Sequence, residues 1–295
     1  KLVNEDYPKQ DKPVSDNQLK KIAEAQYKAE QASKSDEPKD FPTEIVELPS
    51  KGKFYPKEHP LSTGQIEMKY MTAKEEDILT TQSYIKQGVV LDKLFRALII
   101  SNGKGEKVNY NDILIGDKNA LMIAARVLGY GKEYEVTITT PSGNKQKEVI
   151  DLTTIDDRPF DGSGLIEKHI NAFEFKLPAS KRIVKFKQLN QGDTVAIEKE
   201  IKGLKKIRKR TGGGDGELTT RLIHAIISLD GDEERATIRN FVNNEMLALD
   251  SKSLREHMKK VQPDVDLDIE FFDDMTGEPF EMSLPIDTNF FWPGA

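Results

Sequence analysis

The chain has 295 residues, of which 37% are hydrophobic and 32% are charged, and its formal net charge at neutral pH is −6. This balance is typical of a folded protein with a large or strongly solvated surface. No apolar run approaches the roughly 20 residues that a membrane-spanning helix needs. Cysteine is absent, which excludes disulfide bonds, thiolate metal ligands and cysteine nucleophiles. The negative charge gives no general attraction to nucleic acid or to an anionic membrane.

Residues 1–40 are polar and of mixed charge, and we interpret them as a flexible or helical arm. The stretch Asn17–Glu30 is rich in good helix formers, but Leu19, Ile22 and Ala23 form only a thin apolar stripe. Such a stretch is either a solvated helix or a helix that docks on a partner.

Residues 41–130 predict a mixed, mainly helical lobe. The prolines of Phe41–Pro56 favour a short strand, a turn and a second extended piece, and the alternation in Ile66–Tyr70 indicates another strand. Thr72 and Glu75 have the spacing of a capping box, so a helix should begin here and continue through Tyr84. Two further helices are expected, over Val90–Ser101 and Ile113–Leu128.

The remainder alternates between hairpin and helix patterns. Residues 131–190 predict two β-hairpins, one around the turn Pro141–Asn144 and one that joins Phe173–Pro178 to Ile183–Lys187. Residues 191–260 predict an inserted helical segment, with helices over Asp193–Ile207, Leu218–Ser228, Asp232–Leu249 and Asp250–Lys260. Residues 261–295 predict a third hairpin and an aromatic tail that complete the β-body. The expected class is therefore α+β: a mainly helical N-terminal lobe and a β-hairpin-rich body with an inserted helical segment.

A basic run lies near the middle of the chain and ends at a glycine-rich stretch, Gly212–Gly216. The glycines follow the predicted helix and no Gly-Lys-Ser/Thr closes the loop, so this is not a phosphate loop. Apolar residues at helical spacing make the cations the solvated face of a helix, while an electrostatic patch for an acidic partner or for nucleic acid stays open. The candidate patch residues are Lys202, Lys205, Lys206, Arg208, Lys209 and Arg210.

No residue pattern supports catalysis, a cofactor or a metal. The four histidines, His59, His169, His224 and His257, are scattered, and none has metal-ligand spacing to another. No nucleophile elbow is present. The acids of Asp264–Asp268 lack the glycine and the distal glutamate of a calcium loop. We therefore expect a non-enzymatic protein without a cofactor.

The tail contains three consecutive aromatic residues, Phe290, Phe291 and Trp292, and Trp292 is the only tryptophan of the chain. Two of these rings could pack onto the chain's own β-body. Alternatively, they could anchor a neighbouring subunit, since aromatic residues dominate interface hot spots.

Several segments together resemble the baseplate proteins of T-even-like contractile-tailed bacteriophages, in the group of hub subunits and hub-assembly proteins. The resemblance covers the chain from about residue 41 to the C-terminus. It rests on the order and spacing of Leu48–Pro56, Leu218–Ile223, Ile226–Gly231, Ala248–Arg255, Pro263–Asp266, Leu284–Ile286 and Phe290–Pro293.

The resemblance implies a structural subunit of the baseplate hub that is made in the bacterial cytoplasm and built into the virion tail. It implies contacts with other tail or baseplate proteins, and it leaves open both self-association and a role as an assembly chaperone absent from the mature particle. It carries over no catalytic residues. The residues that we assign to partner binding are Leu48, Pro49, Phe54, Tyr55, Phe290, Phe291 and Trp292.

Overall fold

The computed structural model describes residues 41–158, 160, 164–211, 216–286 and 290–292, without the side chains of 207–211. From Thr43 onward, the described residues form one compact unit by their contacts. The arm, with its predicted helix at Asn17–Glu30, lies outside the described residues. The predicted subdivision of 41–295 into four regions stays an interpretation of the sequence.

The described residues form an α+β fold, as predicted. Its helices are α1 (Ala73–Thr80), α2 (Gln82–Gln87), α3 (Val90–Leu98), α4 (Ile115–Tyr130), α5 (Gln191–Thr211), α6 (Glu217–Ala225), α7 (Arg235–Asn240) and α8 (Ala248–Lys260). Its strands are β1 (Thr43–Glu47), β2 (Gln65–Lys69), β3 (Ile99–Ser101), β4 (Glu133–Thr139), β5 (Lys145–Asp151), β6 (Phe173–Lys176), β7 (Ile183–Phe186), β8 (Ile226–Leu229), β9 (Asp268–Phe272) and β10 (Pro279–Ser283).

The strands of the described residues form four small antiparallel sheets, in the orders β1-β2-β3, β4-β5, β6-β7-β8 and β9-β10. The three predicted hairpins are confirmed as β4-β5, β6-β7 and β9-β10. The first and third hairpins are joined by side-chain hydrogen bonds, since Gln146 donates to the carbonyl of Phe272 and Asp273 accepts from the backbone of Ser142.

The predicted capping box is also confirmed. The Glu75 carboxylate accepts from the backbone N–H of Thr72 at 3.1 Å, and the N–H of Glu75 in turn is capped by Thr72. The Lys69 ammonium lies 2.7 Å from the same carboxylate, and these interactions outweigh the effect of burial and lower the pKa of Glu75. The helix is shorter than predicted, because the extended backbone of Thr81 separates α1 from α2.

Two predicted helices were too long, because the last residues of each predicted helix form a strand that pairs with a neighbouring strand. The helix predicted over Val90–Ser101 ends at Leu98, and β3 then pairs with β2. The helix predicted over Leu218–Ser228 ends at Ala225, and β8 then extends the second hairpin by pairing with β7.

Two other predictions were wrong in their boundaries. The segment predicted as one helix, Asp232–Leu249, contains α7, a π-helical turn over Phe241–Glu245 and a break before α8. The second extended piece predicted within Phe41–Pro56 is instead a run of turns after β1.

The start of α4 is packed so closely against the chain after α8 that only glycine fits there. A Cβ atom added to Gly116 would lie 1.7 Å from the carbonyl oxygen of Pro263. The Asn119 side-chain amide also donates a hydrogen bond of 2.9 Å to the Asp264 carboxylate, which connects the same two segments. The N-terminal end of α4 therefore positions the 263–265 segment.

We expect Gly116→Ala to lower the free energy of unfolding by about 2 kcal/mol or more, because the backbone must move to accept the methyl group. Gly203→Ala is the matched control, since a Cβ at Gly203 on α5 meets no atom within 4 Å. Alanine is the better helix former, so this control should be neutral or stabilise by up to about 1 kcal/mol. Urea unfolding of both variants measures the difference, and equal effects would contradict the tight contact.

Candidate interaction surfaces

The segment Leu48–Pro56 is held in place by a buried carboxylate from α4. Asp117 accepts hydrogen bonds from the backbone N–H of Ser50 at 2.9 Å, from the Ser50 hydroxyl at 2.8 Å and from the Tyr55 hydroxyl at 2.7 Å. The Tyr55 oxygen in turn accepts from the backbone N–H of Leu114 at 3.0 Å. These bonds fix the segment to the first turn of α4, where a carboxylate also meets the positive end of the helix dipole.

The turns of this segment need unusual backbone conformations. Lys51 and Gly52 both have positive φ, of 48° and 70°. A Cβ at Gly52 would lie 2.2 Å from the carbonyl oxygen of Ser62, so no other residue fits there. The Lys51 ammonium is held by the Asp157 carboxylate at 2.7 Å and by Glu47 at 3.2 Å.

The second half of the segment packs into the aromatic core of the second hairpin. The Phe54 ring is 5.2 Å from that of Phe160 and 5.6 Å from that of Phe173, measured between centroids. The backbone N–H of His169 donates to the carbonyl of Lys53 at 2.7 Å. Nδ1 of His169 lies 3.1 Å from the carbonyl of Tyr55, and since a carbonyl only accepts, this nitrogen carries the proton.

The aromatic tail packs onto the chain's own core. The buried Phe290 ring meets the Tyr134 ring of β4 edge to face, with centroids 5.1 Å apart. Phe291 is also buried, and Trp292 is half-buried. Nε1 of Trp292 donates to the carbonyl of Leu79 at 3.1 Å, so the tail joins α1 to the first hairpin.

Six of the seven residues assigned to partner binding are buried in the core of the chain itself: Leu48, Pro49, Phe54, Tyr55, Phe290 and Phe291. These buried side chains stabilise the folded conformation of the chain. A partner would contact them only if that conformation changed. Direct contact between these residues and a partner stays a prediction.

The basic run lies on α5, whose apolar face is buried through Ile197 and Ile201. Lys202, Lys205 and Lys206 are exposed, as expected for the solvated face of a helix. The side chains of Arg208, Lys209 and Arg210 lie outside the described residues. The role of the run as an electrostatic patch stays a prediction.

The polar clusters of the described residues resemble structural contacts more than a catalytic centre. His224 lies 3.0 Å from the Glu200 carboxylate, which also pairs with Arg239 at 2.7 Å. His59 stacks on Tyr55 and His257 stacks on Phe175, so the rings take part in packing. Within the described ranges, no group of three or more His, Asp or Glu side chains is placed to hold a metal ion.

Sequence reasoning missed Asp117, which organises the Leu48–Pro56 segment. Its carboxylate is fully buried, and burial raises the pKa of Asp117 to about 6, against the effect of the hydrogen bonds from Ser50 and Tyr55. Asp117 is separated from Ser50 by 67 positions. The one local signal is an acid in the first turn of a predicted helix, which many surface helices share.

We expect Asp117 to make the fold less stable as the pH rises. Its pKa in the folded state lies above the ordinary aspartate value, so its contribution is full below pH 4 and is lost as the pH passes through 6. The free energy of unfolding of the wild type, relative to that of Asp117→Asn, should fall by about 3 kcal/mol between pH 4 and pH 7. Urea unfolding at both pH values measures this difference, and a constant difference would contradict it.

Asp250 is the control of opposite sign. It is buried by the protein, which raises its pKa, but hydrogen bonds from the backbone of Ala179 and Ser180 outweigh burial and lower it below the ordinary value. Its contribution is therefore lost as the pH falls, so the wild type should lose stability relative to Asp250→Asn on acidification.

Substitutions in the tail should destabilise the fold instead of only removing a surface. Phe290→Ala removes a fully buried ring and should lower the free energy of unfolding by about 3–5 kcal/mol. Trp292→Phe removes the hydrogen bond to Leu79 and should cost only about 1 kcal/mol. Thermal unfolding followed by circular dichroism tests the order of these effects. A Phe290→Ala variant as stable as the wild type would show that the tail does not belong to the core.

No described helix is both long and apolar enough to cross a membrane. No curated protein and no solved structure matches the chain. One protein-family model does match, described as the T4 bacteriophage base plate protein, and it covers residues 41–292. The match begins where the described structure begins and includes both the Leu48–Pro56 segment and the aromatic tail. The chain therefore belongs to the T4 bacteriophage base plate protein family and has a structural role in the baseplate of the phage tail.

Proposed function

We propose that this protein is a non-enzymatic structural subunit of the hub region of a contractile-tailed phage baseplate, where it acts through contacts with other tail or baseplate proteins. The observation that carries the proposal is the family match over 41–292, which includes all of the described residues. The hub position is supported by the resemblance of seven segments, taken in their order and spacing from Leu48–Pro56 to Phe290–Pro293, to hub subunits and hub-assembly proteins.

Exposed apolar side chains support a mode of action by protein contact. Phe272 and Met275 lie at the third hairpin with 58% and 73% of their surface exposed. Met275 also contacts Asn144 at the tip of the first hairpin. We call Phe272 and Met275 together the apolar edge of the third hairpin. An exposed apolar patch is typical of a surface that a partner covers, so we assign this edge to a partner contact.

The proposal predicts that the protein remains in finished particles. We expect mass spectrometry of gradient-purified phage to find it at a constant ratio to a tail-tube protein, and immunogold labelling to place it at the centre of the baseplate. Its presence in infected cells but absence from purified particles would contradict the proposal and favour an assembly chaperone.

Substitutions at the apolar edge can be tested in the same experiment, together with a control substitution elsewhere on the surface. Phe272→Ser combined with Met275→Ser should reduce incorporation, because the contact loses its apolar area, while the stability of the isolated chain stays close to that of the wild type. Lys104→Ser, in an exposed loop away from this edge, should leave incorporation unchanged. Normal incorporation of the double variant would remove this edge from the interface.

A further inference from the structure

A groove of about 650 Å³ lies between α5 and the turn that leads into α3. One wall is a continuous face of α5, at positions 191, 194, 195, 198, 199, 202, 203 and 206. This spacing is that of a single helical stripe, and at 1.5 Å per residue it is about 22 Å long. The other wall is Gly88–Asp92, and Lys118 of α4 also lines the groove.

The groove is apolar at one end. Val89, Val90 and Leu91 line it from the α3 side, and Val195 lines it from α5. Val195 is 48% exposed, although the apolar face of α5 that includes Ile197 and Ile201 is buried on the other side of the helix. A second, separate apolar position on a solvated helix face offers area that a partner could bury.

The rest of the groove carries an excess of positive charge. Its lysines are Lys118, Lys199, Lys202 and Lys206, against two acids, Asp92 and Glu198. The Asp92 carboxylate already accepts hydrogen bonds from the Tyr110 hydroxyl at 2.8 Å and from the Gln191 amide at 3.1 Å. The groove is therefore locally basic on a protein whose net charge is −6.

One detail of the groove favours a carboxylate-bearing partner, and a second allows that partner to approach α5 closely. Burial lowers the pKa of Lys118, whose ammonium donates to the Gln191 side chain at 2.8 Å, so an added carboxylate would compensate a desolvated cation. Gly203 leaves an opening between Lys202 and Lys206, since a Cβ there meets nothing within 4 Å. Another backbone or a bulky side chain could approach α5 closely at this position.

We propose that this groove binds an acidic amphipathic segment of another protein, with its apolar side chains on Val89, Leu91 and Val195 and its carboxylates on Lys199, Lys202 and Lys206. A nucleic acid fits less well. Among the described residues that line the groove, none is aromatic and available for base stacking, and Asp92 and Glu198 interrupt the row of cations that a phosphate backbone follows.

The proposal does not depend on the hub position, and a binding assay on the full-length chain tests it. The probe is an 18-residue synthetic helical peptide with leucine at every third or fourth position and glutamate elsewhere. Two matched peptides carry glutamine or lysine in place of glutamate. Fluorescence anisotropy should show binding of the glutamate peptide, at least about tenfold weaker binding of the glutamine peptide, and none of the lysine peptide.

Variants on α5 separate the groove from general electrostatic attraction. Lys202→Glu, on the stripe, should weaken binding of the glutamate peptide about tenfold or more, whereas Lys205→Glu should weaken it less than about threefold. Both make the same charge change on exposed positions of one helix, but Lys205 does not line the groove. Gly203→Leu should also weaken binding by filling the opening, with no loss of helix stability.

Three results would overturn the proposal. One is no binding of the glutamate peptide to the wild-type chain. Another is equal weakening by Lys202→Glu and Lys205→Glu, which would show attraction without a site. The third is tighter binding of a single-stranded oligonucleotide than of the glutamate peptide at the same salt concentration, with loss in Lys202→Glu, which would assign the groove to nucleic acid. Incorporation into particles is measured separately, so failure here leaves the proposed baseplate role untouched.

Discussion

The fold depends on one buried carboxylate and the three hydrogen bonds that it accepts. Asp117 joins the turns of Leu48–Pro56 to the start of α4. Burial of the carboxylate is unfavourable for its charged form and raises the pKa of Asp117, so the three hydrogen bonds offset only part of the desolvation. The same end of α4 has no space for a side chain at Gly116 because the backbone of Pro263 is there. One helix terminus thus fixes two segments that are about 200 positions apart in the chain.

Local patterns predicted the elements whose partners are close in sequence. The capping box of Thr72 and Glu75 and the three hairpins need only a few neighbouring residues, and all of them form as predicted. The strands β3 and β8 were missed because their conformation is decided elsewhere. Ile226 continues an apolar helical pattern, but the edge of β7 offers hydrogen bonds that a further helical turn cannot use. Tertiary pairing overrides helix propensity at such positions.

The candidate surfaces show the same difference between features that nearby residues determine and features that depend on residues far apart in the chain. The sequence correctly indicated a solvated basic face on α5, because that face follows from the helical period alone. It could not indicate the groove, whose two walls are Gly88–Asp92 and a helix that begins about 100 positions later. Nor could it distinguish an aromatic tail that anchors a partner from one that packs on Tyr134, since both need the same residues.

The burial of Phe54, Tyr55 and Phe290 changes what a loss of function at these three positions means. A variant of Phe54, Tyr55 or Phe290 loses core packing, so its failure to enter particles could follow from lower stability without any lost contact to a partner. Side chains that meet partners must be accessible before assembly, as Met275 and Lys202 are. The buried residues Leu48, Phe54, Tyr55 and Phe290 therefore stabilise the fold of the isolated chain, and exposed positions are the ones that a neighbour can contact without a change of that fold.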